Sequence, residues 1–290
     1  MESNLRYFSP AKINLFLEVL SKRKDNYHEL NSLICFCDVG DLIEVKRSNV
    51  LKIEVLGPFS KNLSLNENII IKTHRIISRY FDIGNFNIKL YKNLPISSGI
   101  GGGSSNAATF FKIIEKNLNL DLETGIKNKI LLEIGADVPV CYYQKFAIIS
   151  GIGDKIKFLP PIEESYILLI NPLVEVSTKD IFSELKVFSE KKTNLDEINK
   201  KDTLLKKIIE SRNDLEQTAK LKYPVISDVL NTLSKDLNAL LVRMSGSGAT
   251  CFGIFNSQLD LDNAYNKIIE IRKNWWIKKG KILNNIKYVS

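Results

Sequence analysis

The stretch AKINLFLEVL, residues 11–20, alternates in polarity: Ile13, Leu15, Leu17 and Val19 share one side, with Lys12, Asn14 and Glu18 on the other. A period of two over that length predicts a strand with one face on a core. A turn-rich segment from Lys22 to Tyr27 follows, then strand-like runs at Leu33 to Asp38, Leu42 to Val45 and Ile53 to Leu56. The period then lengthens, and Ile69 to Tyr80 reads as a helix before a further strand, Phe86 to Leu94, with Ile88 and Leu90 on one face. Beyond Pro95 and a glycine-rich loop, helical spacing returns over Asn106 to Asn117, where Phe110, Ile113 and Ile114 form the apolar stripe. Another helix near Ile126 to Ile134 leads to strands at Lys145 to Ser150 and Lys155 to Leu159.

Pro160-Pro161 can continue neither a sheet interior nor a helix, so it is the expected boundary between two lobes, residues 1–160 and 161–290. The second half carries strands at Tyr166 to Ile170, Ala239 to Met244 and Cys251 to Phe255, several helical segments, and a closing helix and strand. Strands and helices mix without a regular βα alternation, which predicts an α+β fold rather than a doubly wound sheet.

A chain of 290 residues suits two lobes sharing an interface, and its 44% apolar and 26% charged residues are ordinary for a globular protein. No stretch approaches the roughly 20 apolar residues of a membrane-spanning helix. Met1-Glu2-Ser3-Asn4 has neither a basic start nor an apolar run, so no secretory signal is expected and the expected compartment is the cytoplasm. Cys35, Cys37, Cys141 and Cys251 sit among apolar residues and read as buried free thiols; with no Cys-x-x-Cys and only His28 and His74, a zinc site is not expected. The net charge of +8 raises a nucleic-acid partner, but Lys191-Lys192, Lys200-Lys201, Lys206-Lys207 and Lys278-Lys279 are scattered pairs with acids between them. That dispersal describes a solvated surface, or at most a field attracting small polyanions. No nucleic-acid or membrane partner is expected, and the chain is expected to be a monomer or a weak homodimer.

The segment from Pro95 to Ala108, PISSGIGGGSSNAA, holds the most chemistry. Glycines let backbone N–H groups approach an anion, and the helix that follows adds its positive end. Ser104, Ser105 and Asn106 can cap that helix and still offer donors or a metal-ligating oxygen. It is not a P-loop, which ends in Gly-Lys-Ser/Thr, nor a dinucleotide fingerprint, since Ser104 stands where the last glycine belongs.

The pattern Pro-x-x-x-Gly-x-Gly-Gly-Gly-Ser-Ser-Asn-Ala-Ala resembles the phosphate-binding motif of GHMP kinases (galactose, homoserine, mevalonate and phosphomevalonate kinases). Two further segments resemble that family's other motifs: Ser9 to Leu15, SPAKINL, and Met244 to Thr250, MSGSGAT, a loop that in the family buttresses the nucleotide loop. The resemblance implies a two-lobed GHMP kinase fold, with a mixed-sheet nucleotide-binding lobe and an α/β substrate lobe. It implies ATP as phosphoryl donor, with Mg²⁺, held by Pro95, Ser98, Gly99, Ile100, Gly101, Gly102, Gly103, Ser104, Ser105 and Asn106. Ser105 is the candidate metal ligand. Lys12 and Asp137, the latter in Gly135-Ala136-Asp137-Val138-Pro139, are the implied catalytic pair, with Pro139 expected to stop regular structure and fix a loop.

Asp25-Asn26-Tyr27-His28-Glu29-Leu30 resembles the Gly-Tyr-His-x-Leu segment of the family branch that acts on cytidine diphosphate-linked alcohols, with Asn26 where glycine is usual and Ile100 where leucine is usual. Val176 to Phe182 resembles the helix start of that branch's substrate lobe. The implied substrate residues are Asn14, Tyr27, His28, Asp137, Thr178 and Phe182, with Tyr27 and Phe182 stacking on the two faces of cytosine and His28 reading its edge. Residues between Leu56 and Ile71 are expected to contribute to the adenine pocket, and His74 to be structural.

Overall fold

A computed structural model describes residues 5–61, 63, 68–160, 165–190, 192–195, 201–235 and 237–283. Met1 to Asn4, Pro161, Lys191, Lys200 and part of the expected adenine pocket lie outside the described residues.

The alternation at residues 11–20 belongs to a longer strand, β1 (Arg6–Lys22), which turns through Arg23 to Tyr27 into β2 (His28–Ser48). In the turn Asn26 takes a left-handed backbone, φ 66°, which asparagine tolerates better than most residues. β2 is one strand of 21 residues where the sequence predicts two pieces. The ladder to β1 runs on through Gly40 and Asp41, opposite Pro10 and Ser9, so the expected break does not form. β3 (Lys52–Leu56), β4 (Asn85–Tyr91), β5 (Ala147–Gly151) and β6 (Lys155–Phe158) complete a six-stranded sheet in the order β3-β4-β2-β5-β6, with β1 on β2. Only β3 and β4 pair in parallel, so the sheet is mixed.

Helices α1 (Ile69–Ile77), α2 (Gly102–Asn117), α3 (Thr124–Ile134) and α4 (Val138–Tyr143) complete this half. The stripe Phe110, Ile113 and Ile114 of α2 is buried in one cluster with Ile34, Phe36, Phe86, Ile88 and Leu90 of the sheet, each large apolar side chain contributing about 1.5–3 kcal/mol. His74 is buried in α1 with Nε2 2.8 Å from the Gly84 carbonyl, a structural placement.

The second sheet has the antiparallel order β10-β7-β9-β8, from β7 (Tyr166–Asn171), β8 (Leu241–Met244), β9 (Cys251–Phe255) and β10 (Trp276–Lys281). Its helices are α5 (Thr178–Ser183), α6 (Lys201–Glu210), α7 (Leu215–Lys222), α8 (Val225–Ser234) and α9 (Gln258–Ile271). Alternate residues of β7 serve different cores. Leu168 and Ile170 pack with Val229 and Leu233 of α8 and Ile268 of α9. Ile167 and Leu169 pack with Ile13, Leu15, Leu33 and Cys35 of β1 and β2. The apolar face of β1 therefore lies against the second sheet, and the period-two pattern joins the halves.

Lys12, Asn14 and Glu18, on its other face, are also buried, at 5, 1 and 4% exposure. Three bulges interrupt the β1–β2 ladder, at Pro10/Lys12, Asn14/Phe16 and Val19/Ser21. At the second, Leu15 turns its carbonyl out to the buried Arg243, which donates to it at 2.6 Å and to the carbonyls of Ile208 and Ser211 at the end of α6. All four cysteines are buried free thiols. Among the described residues no helix is long and apolar enough to cross a membrane.

Candidate active site

The glycine-rich segment enters α2 earlier than its composition suggests. The helix begins at Gly102, with Gly101 as its cap in a left-handed backbone, φ 61°, and no side chain capping it. Ser104, Ser105 and Asn106 therefore sit inside the first turns rather than at the cap. The first N–H groups of a helix have no acceptor within it, and three such residues here lack bulk or charge that would crowd an anion. Gly99 also has positive φ, 75°, and a Cβ there would fall 2.3 Å from the Ser245 carbonyl oxygen, so only glycine fits.

Lys12 lies directly under this loop. Its amide donates to the Ile100 carbonyl at 2.9 Å, and a Cβ on Gly101 would meet its side chain at 3.0 Å. The chain runs past Gly101 to place Nζ 2.7 Å from Asp137 Oδ2, an ion pair in which the lysine is buried and the carboxylate is 38% exposed. Asp137 reaches this position as the residue preceding α4. Pro139 occupies the first turn of that helix, so it starts a helix where a loop was expected; a fixed φ and a missing N–H suit that position. Asn14 donates Nδ2 to Ser32 Oγ at 2.8 Å, while its Oδ1 is buried without a hydrogen-bond partner.

Beneath the loop is a polar network centred on Asp41, which is fully buried in β2. Its Oδ1 accepts from the amides of Asn93 and Leu94 at 2.7 and 2.8 Å, and its Oδ2 from Lys92 Nζ at 2.6 Å and Asn106 Nδ2 at 3.0 Å. Ser9 Oγ donates to Asn106 Oδ1 at 2.7 Å and lies 3.0 Å from Ser105 Oγ. Burial pulls the Lys92 ammonium below its ordinary value, and Asp41 opposes that pull. Pro95 is tied in through Ser98, whose hydroxyl donates to its carbonyl at 2.7 Å.

The loop from Met244 to Thr250 closes the other side. Ser245 Oγ accepts from the Asn14 amide at 3.1 Å and donates to the Gly99 carbonyl at 3.0 Å, and the Thr250 amide donates to the Ser98 carbonyl at 3.1 Å. Ser247 Oγ is 2.8 Å from Thr178 Oγ1 at the start of α5. One small-residue loop thus touches the glycine loop, strand β1 and the start of α5, the helix that carries Phe182 near its end.

His28 packs on Phe182 with ring centroids 5.0 Å apart and on Phe188 at 6.2 Å, each tilted by 36°. Burial, then the nearby Lys22, holds its imidazole below the usual histidine range, which favours the neutral ring. Tyr27 is 56% exposed, its amide bound to Asp25 Oδ1 at 3.1 Å. The structure thus joins Lys12 with Asp137 and His28 with Phe182, and leaves Tyr27 open to solvent. Sequence reasoning missed Asp41, Lys92, Phe188, Ser245 and Ser247 as individual residues, although the two serines lie in a segment it singled out.

No cluster of three or more His, Cys, Asp or Glu side chains suited to a metal occurs among the described residues. Ser105 is fully buried against Ser9, so it belongs to the foundation of the loop more than to its mouth.

A glycine loop at a helix start, a lysine–aspartate pair beneath it and a second small-residue loop bracing it form one connected cradle. A family model for the GHMP kinases N terminal domain matches residues 68–145, and one for GHMP kinases C terminal matches residues 193–273. The chain belongs to the GHMP kinase family, as a small-molecule kinase. Its relatives include the 4-diphosphocytidyl-2-C-methyl-D-erythritol kinase of Ruegeria pomeroyi, 37% identical over 281 residues, which cover 95% of this chain and 98% of the relative. The enzyme of that name from Paramagnetospirillum magneticum is 33% identical over 278 residues, with coverage of 95% and 98%. Among solved structures, a 4-(cytidine 5'-diphospho)-2C-methyl-D-erythritol kinase matches with TM-score 0.78 at 24% identity, over 97% of this chain and all of that one (100%). The homoserine kinase of Cytophaga hutchinsonii matches with TM-score 0.70 at 18% identity, over 100% and 98%. Those two likenesses are of fold.

Proposed function

We propose that the chain transfers the γ-phosphoryl group of ATP to the 2-hydroxyl of 4-diphosphocytidyl-2-C-methyl-D-erythritol, a step of the non-mevalonate (methylerythritol phosphate) route to isoprenoid precursors. The observation that carries the chemistry is the Lys12–Asp137 pair, 2.7 Å apart and in contact with the glycine loop. The choice of substrate rests on relatives of that name at 33–37% identity over nearly the whole chain.

In this reading the triphosphate lies on the N–H groups of Gly101, Gly102, Gly103 and Ser104 at the start of α2. Gly99, Ile100, Ser98 and Pro95 shape the approach, and Ser105 and Asn106 hold the loop from below. Mg²⁺ bound to the phosphates would neutralise part of their charge. The hydroxyl oxygen attacks the γ-phosphorus in line as the bond to the β-phosphate oxygen breaks, and the hydroxyl proton passes to Asp137. Lys12 aims that carboxylate and offsets charge building on the transferring group. Asn14, whose Oδ1 has no hydrogen-bond partner, takes a substrate hydroxyl. Tyr27 and Phe182 stack on cytosine, His28 reads its edge with a neutral ring that can both donate and accept, and Thr178 binds beside them.

Residues 1–160 and 161–290 form the two lobes in this reading, yet neither holds one substrate alone. β1 and His28 come from the first half to the acceptor side, and the Met244–Thr250 loop comes from the second half to the nucleotide side. The reaction is assigned to the cytoplasm, in keeping with four free thiols, with neither nucleic acid nor membrane as partner. Asp137→Asn tests the chemistry: kcat should fall by about 10²–10⁴ with the KM for ATP little changed. A loss below tenfold removes Asp137 from the role.

A further inference from the structure

The reading of the base pocket assigns Tyr27, His28 and Phe182, but a third aromatic side chain touches His28 and belongs to no motif. Phe188 lies in the segment after α5, half-buried, with its ring centroid 6.2 Å from that of His28. The residues that follow it are tied to β1. Next to it, the Ser189 amide donates to the Val19 carbonyl at 2.8 Å and the Ser189 hydroxyl to Asp214 Oδ2 at 2.7 Å. Asp214 Oδ2 also accepts the Val19 amide at 2.7 Å, so one buried carboxylate clamps the segment to β1. Further on, the Thr193 amide donates to Glu18 Oε2 at 2.9 Å, and its hydroxyl also bonds to Glu18. Glu18 in turn accepts from Asn31 of β2 at 2.7 Å, and Asn31 reaches the Thr193 carbonyl at 3.2 Å. Glu18 is 4% exposed, and a carboxylate is buried at such cost only when its donors are fixed. Ser189 and Thr193 thus staple this strap to β1, and Phe188 beside Ser189 rests on His28.

We propose that Phe188 is a positioning residue for base recognition, setting the orientation of the His28 ring against the base of the acceptor substrate. Imidazole rotates freely about its outer torsion, and reading a base edge needs the ring plane fixed to within about 10–20°. Phe182 cannot supply that restraint unaided if its face is given to cytosine; Phe188 keeps a contact with His28 that the substrate does not use. A polar site rejects a base with the wrong donor pattern by leaving its own groups unpaired, and that rejection weakens when the group can swing away. Loss of Phe188 therefore costs discrimination more than it costs turnover.

The proposal rests on the base-pocket reading, and one experiment separates the two. KM and kcat are measured for 4-diphosphocytidyl-methylerythritol, for the same alcohol carrying uridine diphosphate, and for ATP, in the wild-type enzyme and in Phe188→Ala, Phe188→Leu and Phe188→Tyr. The expected result is a KM for the cytidine substrate raised about tenfold in Phe188→Ala, with kcat and the KM for ATP within about threefold of wild type. Its preference for cytidine over uridine should fall at least about fivefold. Phe188→Tyr should restore that preference, and Phe188→Leu, which keeps apolar packing and the fold, should not. Wild-type preference retained in Phe188→Leu overturns the proposal. A wild-type enzyme that takes both alcohols alike overturns the base-pocket reading itself, and the proposal with it.

Discussion

Asp41 shows how one fully buried side chain ties the glycine loop to the sheet beneath it. Four donors converge on its carboxylate, two from backbone and two from the side chains of Lys92 and Asn106. Replacing it by asparagine turns one acceptor oxygen into a donor facing donors and leaves the Lys92 ammonium buried with no counter-charge. Asp41→Asn should lower unfolding stability by about 3–5 kcal/mol in urea titrations, as breaking one side of a buried pair does. It should also raise the KM for ATP, because Asn106 loses the partner that fixes the first turn of α2. A stability change within about 1 kcal/mol of wild type would contradict this placement. Gly99 and Gly103 make a second contrast within the loop. A Cβ on Gly99 strikes Ser245, whereas one on Gly103 finds nothing closer than Ile69 Cγ2 at 3.9 Å. Gly99→Ala should therefore lower Tm. Gly103→Ala, inside α2, should not lower Tm, because alanine favours the helix, and should raise the KM for ATP about tenfold, because the added methyl crowds the bound phosphate. Equal Tm losses would contradict the cradle.

At the scale of elements, α2 and α4 meet across Lys112, whose Nζ is 3.3 Å from Gln144 Oε1 and 5.0 Å from the Tyr142 ring centroid. Burial lowers its pKa to about 8 from 10.5. The unfolded chain then binds the extra proton between those values, so this group makes stability rise with pH from about 8 to about 10.5; below about 8 its penalty is complete. Lys112→Met should be the more stable protein at pH 7, by on the order of 1–3 kcal/mol, with an advantage that shrinks toward pH 10.5. Chemical unfolding at several pH values measures it, and an advantage independent of pH would contradict the burial of the charge. The same elements show what the sequence can display. β1 was legible because its apolar residues alternate with polar ones, and β9 because Cys251 to Phe255 is a short apolar run. The onset of α2 was not: three glycines favour a loop locally, and Ser9 and Asp41, which hold Ser105 and Asn106 in its first turns, are far away in the chain. Pro139 was misplaced for the same reason, since a proline both ends and begins helices. Lys12, Asp137 and His28 stand out in the sequence only through their motifs, and Asp41 and Phe188 through none; Gly40-Asp41 looks like a turn until its neighbours on both sides are known.

At the scale of the molecule, β1 is the member shared by everything. Its apolar face joins the two sheets, its polar face carries Lys12 and Asn14, and Glu18 further along holds the strap that bears Phe188. A kinase in which phosphoryl donor and acceptor must meet in line benefits from a strand that fixes both sides in one piece. The buried Arg243 locks the bulge at Leu15 to the end of α6, so damage there should reach both substrates together, unlike Phe188 variants, which should affect the acceptor alone. A coupled assay of ADP release by the purified enzyme with ATP and Mg²⁺, offered 4-diphosphocytidyl-2-C-methyl-D-erythritol, homoserine or mevalonate, identifies the acceptor. Turnover with the cytidylated alcohol alone is the expected result. Turnover with homoserine or mevalonate and none with the cytidylated alcohol would keep the fold and the Lys12–Asp137 pair but contradict the base pocket.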